Sequence, residues 1–366
     1  MKIYNKILPS LSVRLNIARA GAAFLVAVSH IRGAFFAEWS QLTDSSHTVI
    51  NYLLFFITRL GHEAVIIFFV LSGYLVGGSL LADHANCKPN WLKYFVNRLV
   101  RMWMVLIPAL IIGAICDYYT ITLNPHNPGA EHFTFTAFLG NLFFLQTIFV
   151  PTFGTNGPLW SLANEFWYYM FWPLIIIILK FNRLKGFRFI LLLSVIFVLY
   201  HFIPNIILLF PIWIAGALLR YCNLNKLLKS RIGLFLAYLL FICSIGYVNI
   251  HPSLYGDYVL AISVLLIILY WQQEITILKN INNKIPHFFS EFSFSLYAIH
   301  YFIMFLFFAI ARTFFDLGGR RIEANITNWF FMISICILIL CFSWIFYFFT
   351  ERHTLAMRKK IYGWLT

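Results

Sequence analysis

The chain has 366 residues, of which 61% are hydrophobic and only 11% charged, and it carries a formal net charge of +14. A soluble domain would carry about a quarter charged residues, so a water-soluble enzyme is excluded. A nucleic-acid partner is not expected either, because Lys and Arg stand in small groups between apolar runs rather than along one basic face; that alternation reports membrane orientation.

Apolar runs of about 20 residues can each cross a hydrocarbon core of about 30 Å. They predict membrane helices near 15–37, 62–82, 102–121, 158–180, 188–203, 205–221, 233–250, 254–272, 292–315 and 324–349. Two shorter stretches, 49–60 and 134–150, are flanked by polar residues and predict interfacial or re-entrant helices on the outer side. The first run lacks a small-residue cleavage site and reads as a retained helix, not a signal peptide. The expected fold class is an all-α integral membrane protein with about ten transmembrane helices, both termini cytoplasmic, forming a single domain over 1–366.

Charge agrees with this orientation. With the N-terminus inside, 22 of the 27 Lys and Arg fall in inner segments: Lys2, Lys6, Arg14 and Arg19; Lys88, Lys93, Arg98 and Arg101; Lys180, Arg183, Lys185 and Arg188; Arg220, Lys226, Lys229 and Arg231; Lys279 and Lys284; Arg352, Arg358, Lys359 and Lys360. Arg32, Arg59, Arg312, Arg320 and Arg321 remain outside. The six Cys (Cys87, Cys116, Cys222, Cys243, Cys336 and Cys341) show no metal-ligand spacing and read as buried thiols without a disulfide framework. No metal site is expected.

Ionisable groups inside lipid spans are costly and mark candidate functional sites. Arg19 and His30 share one face of the first helix and lie about 16 Å apart along its axis. Between them Ala22, Ala23 and Val26 leave space for a narrow tunnel. An Arg snorkelling to the interface and a His bonded to a neighbouring helix fit the spacing equally.

In Gly157-Pro-Leu-Trp160-Ser161-Leu-Ala-Asn-Glu165-Phe-Trp-Tyr168-Tyr169, the residues Ser161, Glu165, Tyr168 and Tyr169 share one face. If that helix starts at the outer surface, Glu165 lies about 10 Å below it, at roughly the depth of His30. A His30–Glu165 pair would orient the imidazole and raise its basicity; a lone buried Glu capping backbone is the alternative. Arg98 and Arg101, three residues apart just before the third helix, suit phosphate through bidentate guanidinium contacts, or else anchor to anionic lipid headgroups. Ser293, Tyr297 and His300 share a further face, of substrate-lining or structural character.

These segments in this order resemble the acyltransferase family 3 membrane proteins, which O-acylate bacterial surface polysaccharides. The resemblance rests on Arg19 and His30 with ten residues between them, on Gly61-His-Glu63-Ala-Val-Ile-Ile-Phe-Phe-Val-Leu-Ser-Gly73, and on the Arg98/Arg101 segment. It continues through Leu159-Trp-Ser-Leu-Ala-Asn-Glu165, Ser295-Leu-Tyr-Ala-Ile-His300 and Glu351-Arg352. Asn97 stands where relatives often carry a second adjacent arginine, and the appended esterase-like domain of many relatives is not expected here.

The resemblance implies a multi-pass protein of the inner, cytoplasmic membrane. It implies acetyl-CoA or another short acyl-CoA as donor, and a glycan or lipid-linked glycan hydroxyl as acceptor, with exopolysaccharide or lipopolysaccharide sugars the closest match. On that reading His30, Glu165 and Arg19 are catalytic, Arg98, Arg101 and Arg14 bind the nucleotide, and Tyr168, His300, Trp160 and Glu63 line the acceptor. His30 acts as general base or carries the acyl group transiently. Partners are acyl-CoA, the glycan and the bilayer, with self-association left open. The competing class is a transporter or flippase of lipid-linked sugars, using buried His and Glu to move protons. Transporters often show matched, Gly/Pro-broken halves, a pattern this sequence does not display.

Overall fold

The structure, a computed structural model, describes residues 7–85, 90–125, 127, 129–180, 187–220, 230–272, 283–315 and 322–365. Lys2, Lys6, Cys87, Lys88, Arg183, Lys185, Cys222, Lys226, Lys229, Lys279, Arg320 and Arg321, several of which bear on orientation, lie outside these residues. Among the described residues the regular structure is helical, with two isolated bridges (Phe36–Ile322 and Gln146–Val150) and no strand.

The long first helix α1 (Pro9–Phe35) opens on a proline, which costs nothing at a helix start. The short α2 (Val49–Thr58) precedes α3 (Gly61–Ser72), which runs through a π turn at Gly73–Gly77 into α4 (Gly78–Ala85). Then come α5 (Trp91–Leu123), the short α6 (Phe135–Leu142) and α7 (Leu159–Lys180). The pairs α8 (Phe187–Phe202) and α9 (Pro204–Leu219), then α10 (Arg231–Ile250) and α11 (Leu254–Trp271), follow. The short α12 (Lys284–Glu291) leads into α13 (Ser293–Phe315), and α14 (Ile326–Phe349) is succeeded by α15 (Thr354–Leu365).

Eight segments are long and apolar enough to cross a membrane, and the chain is an integral multi-pass protein. The other two expected spans are α8 and α9, which are 16 residues each and shorter than the usual 20 or so. The third helix starts earlier than expected. Asn90 caps it by accepting from the Lys93 backbone N–H, so Arg98 and Arg101 stand within α5 rather than before it. The sequence signal there, a change from polar to apolar residues, marks the edge of the apolar zone and not the end of the helix. Cys116 and Cys336 are buried as expected, whereas Cys243 and Cys341 are exposed; on helices facing lipid an apolar thiol gains nothing from protein cover.

The stretch expected to be re-entrant is helical only over α6. Residues 143–157 then fold back among the helices as irregular backbone, with Phe144 and Thr147 at positive φ. Backbone at membrane depth must be satisfied by protein, and here it is. The Trp103 indole donates to Leu142 O (3.0 Å), that of Trp167 to Phe144 O (2.9 Å), and the Gln146 amide to Leu159 O (3.0 Å). Asp117 of α5 accepts from the Thr155 backbone N–H (2.9 Å) and hydroxyl (2.7 Å). Gly154 sits between them at φ +56°, where an added Cβ would stand 1.8 Å from the Asp117 carboxylate. Gly154→Ala therefore forces both a strained backbone and a clash, and is expected to cost about 1–3 kcal/mol, read as a lower unfolding temperature in detergent.

Two large apolar clusters and a small third one, around Ala237, Ile267 and Tyr270, organise the bundle. α1 packs on α3, α13, α12 and α14; α13 packs closely on α5, and α7 packs on α8, α9 and α3. Gly113 lets α5 approach the Phe302 ring, and Gly73 lets α3 meet the Trp213 backbone of α9. α13, packed on α1 on one side and on α5 on the other, forms with them the frame on which the candidate site is built.

Candidate active site

Two cavities lie along this frame. The first, of about 110 Å³, is lined by Arg19 of α1, Ser72 of α3, Arg98 and Arg101 of α5, Ser161 and Glu165 of α7, and Tyr297 of α13, among apolar neighbours. Three guanidinium groups thus converge on one small space. Glu165 accepts from Ser72 Oγ (2.6 Å) and from the Tyr169 hydroxyl. The Arg98 guanidinium lies 5.9 Å from both the Tyr94 and Tyr169 ring centres, a cation–π arrangement that fixes its plane. Arg101 pairs with Glu351 (3.7 Å), whose other oxygen accepts from Ser295 Oγ (3.0 Å). Such forks, held by rings and a carboxylate, can grip an oxyanion bidentately.

The second cavity, of about 370 Å³, is lined by Ser29 and His30 of α1, Asn124 and Asn127 after α5, and Tyr301, Phe305 and Arg312 of α13. The His30 ring stacks on His300 with centres 5.5 Å apart and meets the edge of Tyr301 at 4.9 Å. His300 is fully buried, and its Nδ1 faces Leu296 O (3.0 Å) and Tyr297 O (2.9 Å). Two carbonyls can only accept, so Nδ1 carries the proton and Nε2 keeps a lone pair; that Nε2 is buried with no hydrogen-bond partner.

Three helices therefore connect the cavities. α1 carries Arg19 into the first and His30 into the second; α5 carries Arg98 and Arg101 into the first and ends beside Asn124 at the second; α13 carries Tyr297 and then Tyr301. Ala22, Ala23 and Val26 are 3%, 2% and 1% exposed and line neither cavity. The expected tunnel along α1 is thus packed shut between two open ends.

The expected His30–Glu165 pair is not formed. α7 does not begin at an edge of the bundle. The infolded segment brings its first turn deep into the bundle, where Asn156 donates to Ala298 O (2.9 Å) and Tyr297 donates to Pro158 O. Ala298 is only five residues into α13. Glu165, roughly 9 Å further along α7, consequently joins the arginines, while His30 stays level with His300. Depth inferred from the start of an apolar run fails where a non-helical segment precedes it.

The remaining candidates line neither cavity. Arg14 is buried and donates to Trp271 O (3.4 Å). Tyr168 is sandwiched among Phe69, Phe210 and Trp213, and Trp160 lies edge-on to Phe69. Glu63 is buried at the start of α3, next to His62, whose Nε2 lies 2.7 Å from Asp257. Sequence reasoning gave no role to Ser72 or Glu351. Both stood inside quoted motifs, but their partners lie 93 and about 250 residues away in the chain, beyond any local periodicity. Among the described residues no cluster of three or more His, Cys, Asp or Glu could hold a metal.

The model of an acyltransferase domain matches residues 12–348. The chain belongs to acyltransferase family 3. The match begins before Arg19 and takes in α1 to α14, so both cavities lie within it. Among curated proteins, the chain is 30% identical over 128 residues to the peptidoglycan O-acetyltransferase OatA of Listeria monocytogenes, covering 32% of this chain and 20% of that protein. It is 28% identical over 128 residues to the putative peptidoglycan O-acetyltransferase YrhL of Bacillus subtilis, with the same coverage. An uncharacterized protein of Haemophilus influenzae is 30% identical over 190 residues, which are 45% of this chain and 78% of that one. The match thus spans about a fifth of the length of the two named O-acetyltransferases. No solved structure matches.

Proposed function

We propose that the chain transfers a short acyl group, acetyl in the simplest case, from acyl-CoA to a hydroxyl of a glycan or lipid-linked glycan. On this reading it does so across the bacterial inner membrane, through about ten spans with both termini cytoplasmic. The observation that carries the reading is the arrangement of Arg19, Arg98 and Arg101 at one end of the α1/α5/α13 frame and His30 at the other. Arginine forks suit the phosphates of a nucleotide donor, and a neutral imidazole suits an alcohol acceptor. The two named relatives carry the names of a peptidoglycan O-acetyltransferase and a putative one, which agrees with the same class of product.

Arg98 and Arg101 hold the coenzyme A phosphates, Arg19 faces the thioester arm, and Glu165 sets the charge and the hydroxyl network of that donor pocket. His30 accepts the proton of the acceptor hydroxyl as its oxygen attacks the thioester carbonyl. The C–O bond forms, the C–S bond breaks, and the departing thiolate takes the proton back from the imidazolium. The wall between the cavities, made of Ala22, Ala23, Val26, Tyr297 and His300, must part for the thioester to reach His30. His300 stacks on that imidazole, and its orphaned Nε2 faces acceptor or water when the wall opens. Tyr168, Trp160, Glu63 and Arg14 act on this reading through packing, not by touching substrate.

The test is release of free coenzyme A thiol from acetyl-CoA by the purified chain in lipid nanodiscs, with and without a saccharide mixture from a bacterial envelope. Thiol release that requires the saccharide, with an alkali-labile ester recovered on sugar, is the expected result. Saccharide uptake into vesicles driven by a proton gradient, with no thiol released, contradicts it and favours the transporter class.

A further inference from the structure

The cavity that holds His30 has a second chemical feature. Arg312, one turn from the end of α13, lines it and among the described residues has no ion pair, hydrogen bond or ring partner. Among the described residues, Glu323 is engaged with Thr43 and Ser46 (2.8 Å to Ser46 Oγ) and Asp117 with Thr155. Around Arg312 the lining alternates amides (Asn124, Asn127) with rings (Tyr301, Phe305). Amides and hydroxyls read sugar hydroxyls, and ring faces cover the apolar side of a pyranose. At about 370 Å³ the space falls in the range of small-molecule pockets and accommodates a monosaccharide unit.

A guanidinium left unpaired in a semi-enclosed cavity is a binding group for an oxyanion, since a charge-assisted pair is stronger there than in bulk water. Arg312 lies about three turns along α13 from His300 and Tyr301, which flank the His30 ring, and Arg312 and His30 line one continuous space. An anionic substituent held at Arg312 would leave the rest of the sugar ring spanning towards the imidazole.

We infer that the His30 cavity selects an anionic sugar, a hexose unit bearing a carboxylate or a phosphate, and that Arg312 is the group that selects it. This rests on the acyltransferase reading for the identity of the acceptor site, but selection by Arg312 is a binding property and can be measured without turnover. The carboxylate of a uronic acid and the phosphate of a lipid-linked sugar present the same oxyanion chemistry to the guanidinium.

The test uses the full chain in detergent and three probes, methyl glucoside, glucuronic acid and glucose 1-phosphate, titrated by saturation-transfer NMR. The expected result is at least tenfold tighter binding of an anionic probe than of the neutral one, a preference that falls to near unity in Arg312→Gln and is partly kept in Arg312→Lys. Preference for glucuronic acid identifies a carboxylate-bearing sugar, and preference for glucose 1-phosphate identifies a sugar phosphate; either supports the inference. Equal binding of all three, unchanged in Arg312→Gln, overturns it while leaving the acyltransferase reading intact. Wild-type chain that binds none of the three overturns the inference too. In that case coenzyme A binding by the same preparation decides whether the acyltransferase reading falls with it. Thermal unfolding of each variant, unchanged from wild type, confirms that the comparison is between folded proteins.

Discussion

His30→Ala is expected to abolish acylation of the glycan while leaving expression, folding and acyl-CoA binding as they are. An alcohol is a poor nucleophile near neutral pH, and a base placed at its hydroxyl contributes roughly 10²–10⁴ in rate. Among the described residues His30 is the histidine that both faces one of the two cavities and lies within a candidate membrane-spanning helix. Its ring is half-buried and rests on His300 and Tyr301 rather than holding a backbone group, so its removal leaves no buried donor or acceptor stranded and the fold should tolerate it. His30 and the arginines line different cavities, so the variant should bind coenzyme A with unchanged affinity. The measurement is ester formation on the glycan alongside calorimetric titration with coenzyme A. Near-normal transfer by the variant would remove His30 from the mechanism.

The second large effect is expected for Arg98→Ala combined with Arg101→Ala. Hydrogen bonds to charged groups are worth about 1.5–3 kcal/mol each, and two of them lost at once correspond to roughly 10²-fold or more in affinity at about 1.4 kcal/mol per tenfold. The lower end applies, because the Arg101 side chain is 36% exposed and is screened by water. Coenzyme A titrated into the double variant should show that loss, and dephospho-coenzyme A should show a smaller one. An unchanged affinity would place the phosphates elsewhere.

Much of this architecture is legible in the sequence because lipid imposes it. A run such as Ile326–Phe349 has to be a helix, as isolated backbone has no other way to satisfy itself in hydrocarbon. The pairing of Arg98 with Arg101 follows from helical spacing and survives the earlier start of α5. The shared face of Arg19 and His30 is equally local, and the structure keeps it while closing the strip between them.

What spacing does not carry is lateral arrangement. Nothing in residues 143–157 announces that they fold inward and lower the start of α7, because the side chains that hold this stretch and its flanks, the donors Trp103, Trp167 and Gln146 and the acceptor Asp117, are scattered over three segments. That single displacement moves Glu165 from the expected side of His30 to the side of the arginines. The tie from Arg101 to Glu351 joins α5 to the turn after α14 and is likewise a product of packing.

The most direct measurement separates the two substrates by a membrane. Proteoliposomes containing the chain receive radiolabelled acetyl-CoA on one face, with a saccharide acceptor enclosed on the other. Labelled ester on the enclosed saccharide, lost in both His30→Ala and the Arg98/Arg101 double variant, is the predicted result. Ester formed only when donor and acceptor share one compartment would contradict transfer between opposed cavities.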